Sequence, residues 1–295
     1  MAEIELKRVT RAYGEHEGLF DFSLSLQKGQ SFGLVGPTGS GKSTAVRLLA
    51  GLVRPDSGEA SIRGLNCYAQ RHMLMRDVGI AFTDADLPRR ASGDAFLRMV
   101  AAARGVVSRS RLQQVLERLD LNPLGEGARM TPDQRRKMML ALAILHAPDV
   151  LVLDEPCLGL NSHDRYNVLE MLNEERSKGR TVFMTTHVLE EAQRCCDIIC
   201  ILREGRAVTV QSAQAMTKTR QKVYHITFED ISQAAAFAQE WETGVELLRN
   251  RVIVTIPDSP QVLLKTLTKY TVMDLVGGRD TPEDSIVRAF GGDML

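Results

Sequence analysis

The sequence has no excess charge of either sign, because 37 Lys and Arg residues balance 37 Asp and Glu residues over 295 positions. A neutral chain argues against a large electrostatic footprint for nucleic acid, although a local basic patch stays open. No run approaches 18 apolar residues, so the chain is not expected to cross a membrane by itself. The first residues, MAEIELKRVTRAYG, lack the apolar core of a secretory signal peptide.

A disulfide framework is also missing. The five cysteines have neither the spacing of such a framework nor that of a metal clip, and an odd number of thiols without a secretion signal fits a reducing cytosol. They are Cys67, Cys157, Cys195, Cys196 and Cys200. The chain length allows one large domain and one small domain, with ample apolar residues for a core.

The strongest local pattern is GPTGSGKS, which begins at Gly36 and matches G-x-x-x-x-G-K-[ST]. It follows a short apolar strand and opens a helical pattern, as a phosphate-binding loop requires. Glycines let backbone N–H groups turn toward phosphates, Lys42 supplies positive charge and the Ser43 hydroxyl can ligate Mg²⁺. The alternative is a flexible Gly/Ser turn. The predicted ATP-binding residues here are Gly36, Pro37, Thr38, Gly39, Ser40, Gly41, Lys42, Ser43 and Thr44.

A second pattern is the apolar run VLVLDE, which ends at Asp154 and Glu155. An acid at the end of a buried strand is costly unless it meets a cation, so Asp154 is predicted to hold the Mg²⁺ shell. Glu155 is a candidate to polarise an attacking water. The alternative is that the two acids cap a helix.

In this order and spacing, over roughly residues 3–215, the motifs resemble those of the nucleotide-binding subunit of ABC transporters. The resemblance implies an α/β P-loop cassette with a mixed-sheet core, an antiparallel β lobe and a helical subdomain at about residues 84–148. It also implies that Tyr13 stacks on adenine and that His187 is the switch histidine at the γ-phosphate. The simpler alternatives are a loop aromatic for Tyr13 and a helix cap for His187.

The pattern changes near residue 212, where a polar stretch leads into a second region. The order of elements predicted there is β-α-β-β-α-β with a last helix, which is the ferredoxin-like pattern. The sequence therefore predicts an ATPase domain at 1–215 and a small α+β accessory domain at 216–295.

Three positions depart from the family pattern. Thr83 stands where the Q-loop glutamine is expected, and its hydroxyl, with a shorter reach, could still meet Mg²⁺ or water. Asn161 replaces the D-loop aspartate, which keeps the size and loses the charge. The family's LSGGQ signature is replaced by Met130, Thr131, Pro132, Asp133 and Gln134.

The altered signature fits two interpretations. In an ABC dimer this loop contacts the γ-phosphate held by the other subunit, yet Pro132 has no N–H to donate. At about 5 Å and an effective dielectric constant of about 20, Asp133 would repel a phosphate by roughly 3 kcal/mol per unit charge. The same residues form a capping box, with Thr131 as N-cap and Gln134 at N3. We expect an intact helix start and a weakened phosphate sensor, so a homodimer should hydrolyse slowly. A heterodimer with an intact second ABC subunit, which we favour, should have unequal sites.

The resemblance implies a peripheral subunit on the cytoplasmic face of the membrane that uses ATP and Mg²⁺ to power a separate membrane subunit, without a nucleic-acid partner. The stretch 84–99 resembles the region that receives this subunit. The ending PEDSIV at 282–287 loosely matches the S-L-E-D-x-F ending of bacterial drug and natural product exporters, which favours export over import. The alternatives are a regulatory ABC subunit with little turnover and a soluble ABC ATPase unconnected with transport.

Overall fold

The computed structural model describes residues 2–83, 87–88, 91–105, 109–125, 127–218, 222–241, 244–256 and 260–278. The chain divides into two compact units, Met1–Gln214 and Ala215–Leu295. The stretch 84–99 is described in part, and the ending at 282–287 lies outside the described residues.

The first unit contains two sheets. Its strands are β1 (Ile4–Ala12), β2 (Gly18–Leu26), β3 (Ser31–Val35), β4 (Ser57–Ile62), β5 (Leu65–Asn66), β6 (Val78–Ala81), β7 (Val150–Asp154), β8 (Thr181–Thr186), β9 (Ile198–Arg203) and β10 (Arg206–Ser212). The smaller sheet is antiparallel, in the order β2-β1-β4-β5, and the larger has the order β10-β9-β3-β8-β7-β6. In the larger sheet β10 pairs antiparallel to β9, and the other neighbouring pairs are parallel.

The strands of the larger sheet explain the apolar runs in the sequence. β3, β7 and β8 are buried along their whole length, which is typical of parallel strands covered on both faces. Phe32 and Phe183 stack between neighbouring strands with ring centroids 5.4 Å apart. One hydrophobic cluster joins the two sheets, so the antiparallel lobe and the mixed sheet share a core.

Helices connect these strands. They are α1 (Lys42–Leu49), α2 (Arg71–Leu74), α3 (Gly93–Ala103), α4 (Arg109–Arg118), α5 (Pro132–Ile144), α6 (Ser162–Ser177) and α7 (Leu189–Cys195), with a 3₁₀ turn at Gly127–Arg129. The helices α3, α4 and α5 fall where the sequence predicts a mostly helical region. Ser92 caps α3 by accepting a hydrogen bond from the Ala95 N–H. The α/β cassette fold predicted from the sequence is therefore confirmed.

The second unit is smaller. After α8 (Ala213–Lys218), which crosses the boundary, come β11 (Lys222–Phe228), α9 (Ile231–Trp241), β12 (Val245–Leu248), β13 (Arg251–Ile256), α10 (Gln261–Leu267) and β14 (Val272–Gly278). The sheet is antiparallel in the order β12-β13-β11-β14. Its core includes Phe228 and Phe237, whose rings lie 5.2 Å apart. None of the helices in the described ranges combines the length and the hydrophobicity that crossing a bilayer requires.

Candidate functional site

The Gly-rich loop joins the end of β3 to the start of α1, and its glycines are sterically required. Gly41 has a φ of 103°, and a Cβ there would lie 2.0 Å from the Gly18 carbonyl oxygen. A Cβ on Gly36 would lie 2.3 Å from the Leu202 carbonyl oxygen. The first turn of α1 contains no acid, so the positive end of its dipole stays available to an anion.

Lys42 is a buried cation surrounded by oxygen atoms. Its Nζ donates to the carbonyls of Gly36 at 2.7 Å and Pro37 at 2.9 Å. It also lies 3.2 Å from Glu155 Oε1, and the two side chains are 6% and 11% exposed. The P-loop lysine and the candidate base predicted from separate motifs are therefore in direct contact.

Asp154 ends β7 and is almost fully buried, at 2% exposure. The Thr185 hydroxyl on β8 donates to Asp154 Oδ1 at 2.7 Å and accepts from the Glu155 N–H at 3.0 Å. This one threonine orients both acids. The sequence analysis missed it, because TVFMTT predicts only a buried strand.

Glu155 connects the two halves of the site. Its φ of 47° turns the chain sharply after β7. Its Oε2 lies 2.8 Å from His187 Nδ1 and accepts from the His187 N–H at 3.3 Å, while Oε1 faces Lys42. Cys157 is two residues further on, and burial raises the pKa of its thiol, so it stays protonated and takes no part as a nucleophile.

Lys42, Glu155 and His187 line a cavity of about 470 Å³, together with Tyr13 and Thr83. The Tyr13 ring is half exposed and lies 5.0 Å from the Arg11 guanidinium, which is held by Asp56 at 2.7 Å. Of the predicted ATP-binding residues, Tyr13, Thr38, Gly39, Gly41, Lys42, Ser43 and Thr44 line the cavity. The cavity is thus lined by the aromatic ring of Tyr13 and by the lysine, hydroxyls and backbone of the Gly-rich loop.

Thr83 uses its proton locally. Its hydroxyl donates to the Asp154 backbone carbonyl at 3.0 Å, and the residue lines the cavity. Arg136 on α5 donates to the neighbouring carbonyls of Phe82 and Thr83, each at 3.3 Å. Arg136 is another residue that the sequence analysis did not identify.

The five residues that replace the signature form the start of α5. Thr131 and Gln134 form the predicted capping box: the Thr131 N–H donates to Gln134 Oε1 at 3.0 Å, and the Gln134 N–H donates to Thr131 Oγ1 at 3.4 Å. The Thr131 hydroxyl donates to Asp133 and thereby holds the pKa of that carboxyl below its ordinary value. Pro132 occupies the first helical position, and Met130 is buried. The loop's own hydroxyl is therefore used within the cap.

Asn161 caps α6 in a similar way. Its Oδ1 accepts from the Asp164 N–H at 2.9 Å, and its Nδ2 donates to Asp164 Oδ2 at 2.9 Å. Asp164 is also paired with Lys137 Nζ at 2.7 Å, and both of these charged side chains are 6% exposed. The helices α5 and α6 are thus joined by a buried ion pair that the sequence did not predict.

The chain is similar to known proteins over most of its length. A family described as ABC transporter matches residues 19–158. The Nod factor export ATP-binding protein I of Rhizobium johnstonii is 28% identical over 300 residues, which cover 99% of this chain and 96% of the relative. The protein of the same name from Burkholderia orbicola is 32% identical over 227 residues, which cover 74% of each chain.

Solved structures give the same result. An ATP-binding subunit of an ABC transporter superposes with a TM-score of 0.66 at 28% identity, over 72% of this chain and 91% of that chain. A dimeric ATP-binding cassette in a post-hydrolysis state, bound to ADP and phosphate, has a TM-score of 0.63 at 22% identity, over 71% and 98% of the two chains. The second likeness concerns the fold alone.

Proposed function

The chain belongs to the ABC transporter family, and we propose that it is the ATP-binding and ATP-hydrolysing subunit of an exporter. The observation that carries the proposal is the contact of Lys42, Glu155 and His187 within one cavity. Glu155 contacts both Lys42 and His187, so the site combines a cation for phosphate, a carboxylate that can act as a base and an imidazole, which fits hydrolysis of a nucleoside triphosphate.

The P-loop residues are proposed to hold the phosphates of ATP. Backbone N–H groups of the loop and of the first turn of α1 would bind the anion, and Lys42 would exchange its present oxygen partners for phosphate oxygens. Tyr13 is proposed to stack on the adenine ring, since its exposed face lines the same cavity.

The residues of the site also fit Mg²⁺, which prefers hard oxygen ligands. Ser43 lines the cavity and offers a hydroxyl. Asp154, which directly precedes the cavity-lining Glu155, offers a buried carboxylate whose other support is the Thr185 hydroxyl. A bound Mg²⁺ would neutralise phosphate charge. Thr83 is a weaker candidate for this shell, because its side chain is shorter than the glutamine expected at this position.

Glu155 and His187 are proposed as the catalytic pair. When phosphates draw Lys42 away, the Glu155 carboxylate loses its cation and becomes free to accept a hydrogen bond from a water molecule. His187 holds Oε2 through its ring and its backbone N–H, which fixes the direction of the carboxylate. The same histidine is placed to contact a γ-phosphate.

The export assignment rests on the relatives, whose names describe export ATP-binding proteins. We propose that an integral membrane subunit holds the chain at the cytoplasmic face of the membrane. Residues 1–215 would form the ATPase domain and residues 216–295 an accessory domain of the complex.

We further propose that the chain works in a heterodimer with a second ABC subunit. Both residues that could act across a dimer are occupied internally: the Thr131 hydroxyl bonds to Asp133, and the Asn161 amide bonds to Asp164. A site completed by this chain's signature would mainly hold ATP, and the site built on Lys42 and Glu155 would hydrolyse it. The same two contacts favour, as a second candidate, a regulatory subunit with little turnover.

The ATPase rates of the wild type and of Glu155→Gln, alone and in the complex co-purified with its membrane subunit, test the proposal. The wild-type complex should hydrolyse ATP and Glu155→Gln should lose about 100-fold or more in rate. Glu190→Gln is the matched control, because Glu190 is exposed. Equal rates for wild type and Glu155→Gln in every preparation would leave the regulatory role.

A further inference from the structure

We propose that Arg136 is a positioning residue that couples the nucleotide site to the helix α5. This inference rests on the proposed function, since it describes how occupancy of the ATP site reaches the altered signature at the start of α5. Thr83, which occupies the position of the Q-loop glutamine, is short, and Arg136 donates to the backbone carbonyls of Phe82 and Thr83 in the same segment.

The geometry is a fork between two strand ends. Arg136 Nη1 donates to the Phe82 carbonyl at 3.3 Å and approaches the Asp154 carbonyl at 3.5 Å, while Nη2 donates to the Thr83 carbonyl at 3.3 Å. Phe82 and Thr83 follow β6, and Asp154 ends β7, its parallel neighbour. One guanidinium therefore holds the carboxyl ends of two adjacent strands.

Arg136 is buried at 9% exposure, and burying a cation is costly unless its donors are satisfied. The planar guanidinium presents donors in a fixed fork, which an ammonium group cannot reproduce. The energy of this burial depends on the positions of the three carbonyls. A shift of the ends of β6 and β7 would weaken the hydrogen bonds of Arg136 unless α5 moved with them.

Two of the three acceptors of Arg136 belong to residues of the proposed nucleotide site, Thr83 and Asp154. The Asp154 carboxylate is the proposed Mg²⁺ ligand, and the Asp154 backbone carbonyl accepts from both Arg136 and the Thr83 hydroxyl. At the other end, Arg136 lies two residues after Gln134, the last residue of the altered signature, on the same helix. The path from the site therefore runs through hydrogen bonds to Arg136 and then along the first turns of α5 to the signature. A measured effect of ATP on α5 that depends on Arg136 is the evidence that coupling requires.

Hydrogen exchange of the full chain, with and without Mg²⁺ and ATP, tests this path. In the wild type we expect ATP to protect residues 36–44 and also to change the exchange of residues 131–145. In Arg136→Met the protection of 36–44 should remain, while the ATP-induced change at 131–145 should fall by about threefold or more. Arg136→Lys should lose much of it too, because a lysine cannot form the fork.

Arg135→Met is the matched control, because Arg135 is the preceding arginine on the same helix and forms none of these three contacts. It should keep both responses. If Arg136→Met does not fold by circular dichroism, Arg136→Gln, which keeps an amide donor, carries the same measurement.

An equal ATP-induced change at 131–145 in Arg136→Met and wild type, with residues 36–44 protected in both, would overturn the inference and leave the proposed function intact. If Arg136 only stabilised α5, its removal would speed the exchange of α5 equally with and without ATP. The ATP-induced difference at 131–145 would then stay the same. Absence of protection at 36–44 in the wild type would instead contradict the proposed function.

Discussion

Lys42 Nζ lies 3.2 Å from Glu155 Oε1, so the two charges neutralise each other. Both side chains are nearly buried, and neither charge is left without a partner. Phosphates entering the cavity would have to compete with the carboxylate for Lys42. We therefore expect the binding of ATP to free the proposed base.

This competition predicts that Glu155→Gln binds ATP more tightly than the wild type. A neutral amide holds Lys42 less strongly, and a gain of about 1 kcal/mol corresponds to a roughly fivefold lower Kd. Titration of a fluorescent ATP analogue in the presence of Mg²⁺ measures the Kd. Glu190→Gln should leave it unchanged, and a higher Kd for Glu155→Gln would show that the ion pair does not oppose binding.

The main elements of the site could be predicted because they are local motifs. The Gly-rich loop and the DE pair each specify their own backbone, so Lys42, Asp154 and Glu155 were identified from short stretches of sequence. Thr185 was not, because its role depends on β8 lying beside β7. The capping box at Thr131 was predictable for the same local reason.

Contacts between helices that are distant in sequence could not be predicted from the sequence pattern. Lys137 and Asp164 are 27 positions apart and belong to different helices, so no spacing rule brings them together. The signal for this ion pair in the sequence was a charged residue on the buried face of each helix. The same is true of Arg136, whose partners are backbone carbonyls that carry no sequence signature.

The contact between Asn161 and Asp164 predicts that restoring the family's D-loop residue harms this chain. Asn161→Asp places a second carboxylate where Nδ2 now donates to Asp164 at 2.9 Å, beside a carboxylate that is already buried. We expect a loss of about 1–3 kcal/mol in the free energy of unfolding, measured by urea denaturation.

The control variant Asn161→Ser separates charge repulsion from the loss of the Nδ2 donor. It keeps an N-cap acceptor, removes the amide donor and adds no charge beside Asp164, which keeps its partner Lys137. If Asn161→Ser loses as much stability as Asn161→Asp, repulsion between the carboxylates is not the cause.

His146 predicts a dependence of stability on pH. Burial is the main cause that lowers the pKa of His146 from 6.5 to about 4, and the charge of Arg104 is the second cause. Arg104 Nη1 lies 2.5 Å from His146 Nε2. Between these two values the unfolded chain binds a proton that the folded chain does not. The free energy of unfolding should therefore fall as the pH is lowered from about 6.5 to about 4, and this contribution is constant above 6.5.

His146→Gln removes the titrating group and keeps an acceptor for Arg104. Between pH 7 and pH 4.5 its unfolding free energy should fall less steeply than that of the wild type, in parallel urea titrations. Parallel slopes for the two proteins would mean that His146 titrates alike in the folded and unfolded chains.

The altered signature gives the last prediction. Pro132→Gly with Asp133→Gly restores a backbone donor and removes a carboxylate, whose repulsion of a phosphate at about 5 Å amounts to roughly 3 kcal/mol. We expect the ATPase rate of the chain alone to rise by about tenfold or more where it dimerises. The two glycines also weaken the first turn of α5, so the unfolding free energy should fall by about 1–2 kcal/mol.

Asp133→Asn divides the two causes, because it removes the charge and keeps the proline and the helix start. If electrostatic repulsion dominates, this single variant should give most of the gain in rate with little loss of stability. If the missing N–H at Pro132 dominates, the gain should need the double variant. An unchanged rate in the double variant, with ATP binding and dimerisation intact, would show that the signature does not limit hydrolysis, and would shift the cause of any slow turnover to Thr83 or Asn161.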